Sequence, residues 1–220
     1  RAPLEAAARA VAAGDGPAAI DVRIDGDRDA RWVRLNLAAI PGAADGEYII
    51  SPGGKTFRVY CHDMAGSPRD YLSLENTGGS SNYSSHGDVG GYPVVRVTTR
   101  YSRVRIDPAT LLVHIGDQTF ATSEGFDCCY GNTPVTSMPY ATAGSCAGWI
   151  DDGRSNVDLT GTPFIVDDVF TVGGWYAAGS ANSGVIYTFA GQMVPIAVQG
   201  AVVDITGGGG CGSTSPKFPA

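Results

Sequence analysis

The chain has 220 residues, a formal net charge of −7 and an isoelectric point near 4.8. So acidic a chain repels nucleic-acid backbones and anionic lipid surfaces, and it has no run of about 18 apolar residues with which to span a bilayer as a helix. Thirty-one glycines, thirteen prolines and five cysteines describe short strands joined by tight turns around one sizeable core, cross-linked in an oxidising compartment.

The expected fold is therefore all-β, mainly antiparallel, with many short strands and Gly-rich loops and at most a short N-terminal helix. That helix is placed over Ala2 to Ala13, where Leu4, Ala7, Ala8 and Val11 recur at helical spacing before Gly14. Ile20, Val22 and Ile24, then Val33, Leu35 and Leu37, alternate with polar residues and predict a hairpin through Asp25-Gly26-Asp27. Asp25, Asp27 and Asp29 also share the opening spacing of a calcium loop. Ala30 stands where that loop needs glycine and Asn36 where it needs glutamate, so acidic turn residues are the simpler reading. Residues 1–44 are read as an extension and 45–220 as the main β domain.

Three strands follow: Glu47 to Ile50, Lys55 to Cys61 and Asp70 to Leu74, with a Ser51-Pro52-Gly53-Gly54 turn and a polar elbow at His62-Asp63-Met64. In the second strand Phe57, Val59 and Cys61 share one face, so Cys61 points inward. Glu75 to Gly91, rich in Gly, Ser and Asn and carrying His86-Gly87-Asp88, reads as a long loop. From Tyr92 to Asp107 the apolar phase flips between Val97 and Val104, which places a bulge or turn near Thr98 to Ser102. Leu111 to Ile115 and Gln118 to Ala121 predict a further hairpin, and Thr122 to Gly148 reads as loop. Val166 to Val172, Gly184 to Phe189, Met193 to Val198 and Ala201 to Ile205 read as strands cut by glycines, before a glycine-rich tail.

DGEY at Asp45 to Tyr48, RVYCHDM at Arg58 to Met64 and SPRDYLSL at Ser67 to Leu74 begin a series of motifs that continues through Asn82-Tyr83-Ser84, Arg103 to Leu111, Tyr140 to Cys146 and Val157 to Phe164. In this order they resemble the GON domain, the C-terminal module of some secreted ADAMTS-type metalloproteases, also met in bacterial secreted proteins. The resemblance implies a secreted accessory module. The protease of such enzymes is a separate upstream domain, and a fold does not fix a chemistry. The chain begins at Arg1 with no charged-then-apolar leader, which fits a processed, secreted product.

The residues lack HExxH, the G-x-S-x-G elbow and the phosphate-binding G-x-x-x-x-G-K-[ST] loop. If the elbow and the long loop meet, His62, His86 and Asp88 form a candidate divalent-ion site for zinc or calcium; the alternative is ordinary hydrogen-bonding histidines. Arg96, Arg100, Arg103 and Arg105 concentrate the positive charge, either as a solvated face or as an anion site suited to guanidinium forks. Tyr83 lies in the same part of the chain as Tyr71, Tyr92 and Tyr101, which serve as stacking surfaces or as half-buried cross-strand partners. A serine for a Ser-His-Asp arrangement is sought in Gly79 to Ser85, beside His86. For the five cysteines the expected framework joins Cys146 to Cys128 or Cys129 and Cys61 to Cys211, contributing about 3 and about 5 kcal/mol. The functional expectation is a module that binds extracellular protein or glycan, with neither nucleic acid nor membrane insertion. The alternative is a secreted hydrolase with its site around His62, His86 and Asp88.

Overall fold

The computed structural model describes residues 21–23, 44–51, 57–87, 97–107, 111–130, 133–146, 153–189 and 192–216. Among them there are seventeen strands and no helix, so the all-β expectation holds. The N-terminal helix and most of the first hairpin lie outside the described residues. The chain divides into two compact units, Arg1–Ser73 with Arg103–His114, and Leu74–Ser102 with Ile115–Ala220.

The first unit begins with β1 (Asp21–Arg23), β2 (Gly46–Ser51), β3 (Phe57–His62) and β4 (Arg69–Ser73). The chain leaves it for β5 (Tyr83–Gly87) and β6 (Val97–Tyr101) of the second unit. It then returns with β7 (Arg103–Asp107) and β8 (Leu112–Val113). The sheet order is β1-β2-β3-β4-β7-β8, with β1 parallel to β2 and the other pairs antiparallel. Alternation dictates what it buries: Phe57, Val59 and Cys61 on β3, and Val104 and Ile106 on β7, are all under 6% exposed. Each large apolar side chain buried this way contributes about 1.5–3 kcal/mol. The phase flip read near Ser102 is the point where β6 ends in one unit and β7 starts in the other.

The second unit adds β9 (Ala121–Glu124), β10 (Asp127–Tyr130), β11 (Thr133–Val135), β12 (Ala143–Ser145), β13 (Gly153–Asp158), β14 (Val166–Ala181), β15 (Ile186–Tyr187), β16 (Met193–Gly200) and β17 (Val202–Pro216). Its main sheet runs β15-β14-β17-β12-β5-β6-β9, with β13 between β17 and β5 and β16 along β14; β10 and β11 form a separate pair. Val97, Tyr101, Phe170, Val172, Val203 and Ile205 fill its core.

Four expectations are corrected here. The stretch Glu75 to Gly91 is not one loop, because β5 runs through it as a buried inner strand. Its polar residues are accommodated because the hydroxyls find partners. Ser84 Oγ lies 3.3 Å from Ser155 Oγ, and Ser85 Oγ donates to the Arg154 carbonyl at 2.8 Å. Thr122 to Gly148 likewise holds β9 to β12. Leu111 to Ala121 is not a hairpin, since β8 pairs with β7 and β9 with β6. The glycine-rich tail is the C-terminal half of β17. Gly207 presses on the Ala143 carbonyl and Gly209 on that of Tyr176, so glycine there marks close strand packing rather than coil.

Candidate functional site

The elbow after β3 is built by two aspartates. Asp63 turns the chain with φ of 56°, a conformation that Asp adopts more readily than most residues. Its Oδ2 accepts from Ser67 N at 2.9 Å. Asp45, just ahead of β2, accepts from Asp63 N at 2.9 Å and Met64 N at 2.8 Å, and its Oδ2 stands 2.8 Å from His62 Nδ1. Burial pushes the Asp45 carboxyl up, but the Met64 and Asp63 amides and the His62 ring outweigh it and hold the group below its usual range. With Asp45, His62, Asp63, Ala65 and Arg69 as walls, the elbow opens a cleft of about 390 Å³.

His86 sits in a different setting, on buried β5, where its Nδ1 pairs with Asp127 Oδ2. Both side chains are nearly out of solvent, at 10% and 6% exposure. His62 and His86 thus each hold a carboxylate of their own and belong to separate units, while Asp88 lies outside the described residues. Among the described residues no group of three His, Cys, Asp or Glu side chains converges.

The arginines divide between the units. Arg100 donates to the Gly79 carbonyl at 2.5 Å, faces Glu124 at 3.8 Å and stands 6.0 Å from the Tyr83 ring centroid. Arg103 lies 4.1 Å over the Tyr60 ring, donates to Ser73 Oγ at 3.1 Å and pairs with Glu47 at 3.4 Å. Arg105 is half-buried on β7, and Arg96 lies outside the described residues. Tyr83 is half-buried, and desolvation leads the rise of its phenol above the usual range. Tyr71 and Tyr101 are fully buried in the sheets, so they are cross-strand partners rather than ligand platforms.

The cysteine framework is corrected. Cys146 pairs with Cys211 across 65 residues of sequence, not with Cys128 or Cys129, whose side chains lie outside the described set. Cys61 is a buried thiol that donates to Asp70 Oδ1 at 3.3 Å, not the partner of Cys211. The reason is placement: β3 carries Cys61 in the first sheet, while β17 carries Cys211 beside β12, which ends next to Cys146 in the second.

A family model for the GON domain matches residues 38–89, from ahead of β2 to just past β5. In Caenorhabditis elegans, the protein named a disintegrin and metalloproteinase with thrombospondin motifs gon-1 is 30% identical over 198 residues. The chain carries a GON domain. The alignment covers 80% of this chain and 8% of that relative, so the chain spans a small part of the relative's length. No solved structure gives a significant match.

The GON-domain chain also bears a surface that reading the sequence missed. On β14 Trp175 and Tyr176 stand edge to face with ring centroids 4.9 Å apart, and Phe189 follows at 6.3 Å from Tyr176. Tyr187 and Met193 flank them, on strands that pair with β14. Trp175 is 60% exposed, Phe189 69%, Met193 72% and Tyr187 73%. The signal available in the sequence was Trp175-Tyr176 directly after Gly173-Gly174. Gly174 has φ of 133°, and a side chain there would collide with the Cys211 carbonyl. Such a break in a strand can re-aim the residues after it toward solvent.

Proposed function

We propose that this GON domain is a secreted accessory module that docks an extracellular protein through the aromatic ledge of Trp175, Tyr176, Tyr187, Phe189 and Met193. The ledge carries the reading. Scattered apolar residues on a surface need no explanation, but five large ones grouped on adjoining strands incur a solvation cost that a partner would relieve. Trp and Tyr are also the residues that concentrate binding energy at interfaces. A protein is favoured over a glycan because the rings meet at 87° and 79° instead of forming one flat platform, and because Met193 suits an apolar counter-surface. The family supports an extracellular setting, since the resemblance is to modules of secreted ADAMTS-type proteases, and the Cys146–Cys211 disulfide belongs to an oxidising one.

The test is binding of the purified chain to an array of extracellular matrix proteins and to a glycan array, with Trp175→Ser/Phe189→Ser beside the parent. The expected result is saturable binding to a protein that weakens at least tenfold in the double variant. Equal binding by the two, or binding to glycans alone, would overturn the reading.

A further inference from the structure

One transverse row of residues crosses the second sheet in register: Met193 on β16, Gly173 on β14, Ser213 on β17, Gly144 on β12, His86 on β5 and Val97 on β6. Residues opposite one another across a sheet share a face, so all six side-chain directions are common. Ser213 therefore has a glycine on either side. The two glycines make a trough, bounded by Met193 at one end and the His86 ring at the other. A methyl group on Gly144 would meet His86 Cδ2 at 3.3 Å and Ser213 Cβ at 3.5 Å, so ring and serine reach the same point from opposite sides. Nδ1 of that ring is held by the buried Asp127 carboxylate. Nε2 is bonded to Cδ2, the ring atom that leans over Gly144. The nearby serines on β5 and β13 are committed, Ser84 and Ser155 to one another and Ser85 to the Arg154 backbone. Ser213 is half-buried at the trough floor.

From this row we infer that Ser213, His86 and Asp127 form an acyl-transfer site for carboxylic esters with an apolar acyl group. The serine sought beside His86 in sequence thus comes from β17, two strands away. Asp127 is the positioning residue: it fixes the ring with Nδ1 bound, leaving Nε2 as the basic nitrogen. Ser213 Oγ attacks the ester carbonyl carbon and forms a C–O bond, while its proton passes to His86 Nε2. Collapse of the tetrahedral adduct breaks the bond to the leaving alkoxide, which takes that proton from His86. A water molecule then repeats the sequence at the acyl-serine, releasing the carboxylic acid and restoring Ser213. The Met193 end of the trough, continuous with the aromatic ledge, suits an apolar acyl chain.

The experiment uses the full chain with a fluorophosphonate probe, which phosphonylates an activated serine, and 4-nitrophenyl butyrate as substrate. The expected result is one probe per chain, located on Ser213 by peptide mass spectrometry, with butyrate turnover lost in Ser213→Ala. His86→Gln should slow labelling about 100-fold, the usual loss for a general base. Ser213→Ala removes one half-buried oxygen and keeps the fold, and the labelled position in the parent chain needs no variant at all. Absence of stoichiometric label on the folded parent, label on another residue, or an undiminished rate in a folded His86→Gln chain would each overturn the assignment.

Discussion

Asn82 and Asp158 clasp one another through an amide that imitates a strand. Asn82 Nδ2 donates to the Asp158 carbonyl at 2.8 Å, and the Asp158 amide donates back to Asn82 Oδ1 at 2.9 Å. The same Oδ1 accepts from the Tyr140 hydroxyl at 2.7 Å, and Nδ2 also reaches the Asn76 carbonyl at 2.8 Å. Asn82 is fully buried and takes φ of 50°, a left-handed conformation for which Asn is better suited than most side chains. Asn82→Ala should therefore strand two donors and two acceptors and lower the unfolding free energy by about 3 kcal/mol or more. Urea denaturation checks this; a loss under about 1 kcal/mol would show that the clasp is dispensable.

Asp158 sets an acid limb. Burial pushes its carboxyl up, but bonds from Thr160, Asn76 and Ser81 outweigh that and hold it below the usual range. A depressed folded value means stability present above the unfolded pKa and lost as pH falls through the folded one. Thermal unfolding of the parent should thus drop as pH falls below about 4, and Asp158→Asn should flatten that drop while starting lower at neutral pH. Parallel curves for the two chains would exclude Asp158 as the titrating group.

Two tyrosines set the alkaline limb. Burial raises the phenols of Tyr101 and Tyr140 far above the ordinary value of 10.0. Both are neutral in either state below that value. Above it the unfolded chain ionises while the folded chain resists, so stability falls as pH rises past 10. Tyr140→Phe should lessen the slope between pH 10 and 11, at a cost of about 1 kcal/mol for the lost bond to Asn82. A slope unchanged in this variant and in Tyr101→Phe would count against the assignment.

The Cys146–Cys211 bond closes a span of 65 residues, worth about 4 kcal/mol on the chain-entropy account. Non-reducing peptide mapping should recover Cys146 joined to Cys211, with Cys61 alkylated only after unfolding. Cys146→Ala/Cys211→Ala should show a matching stability loss. Recovery of a Cys61–Cys211 peptide would contradict the topology.

The sequence showed strands wherever one face meets solvent or a different layer. Phe57, Val59 and Cys61 alternate because β3 has two unlike faces, and the flip between Val97 and Val104 is the passage between units. It hid β5 and the end of β17 because both are inner strands packed so closely that serine and glycine replace branched apolar residues. Composition then imitates a loop. His86 was legible as a candidate, but its carboxylate partner, Asp127, lies 41 positions away. Periodicity carries no information about such a meeting. The aromatic ledge was missed for a related reason, since exposed Trp175 and buried Phe170 belong to one strand whose facing changes at Gly174.

The first unit takes its last two strands from beyond Arg103, after the chain has made β5 and β6 elsewhere. No single cut can therefore release either unit whole: a ribosome emerging at Ser102 has supplied parts of both and completed neither. A stop codon or protease nick between Leu74 and His114 damages two assemblies at once. Any boundary drawn at residue 89, where the family match ends, deprives β5 of every strand it pairs with.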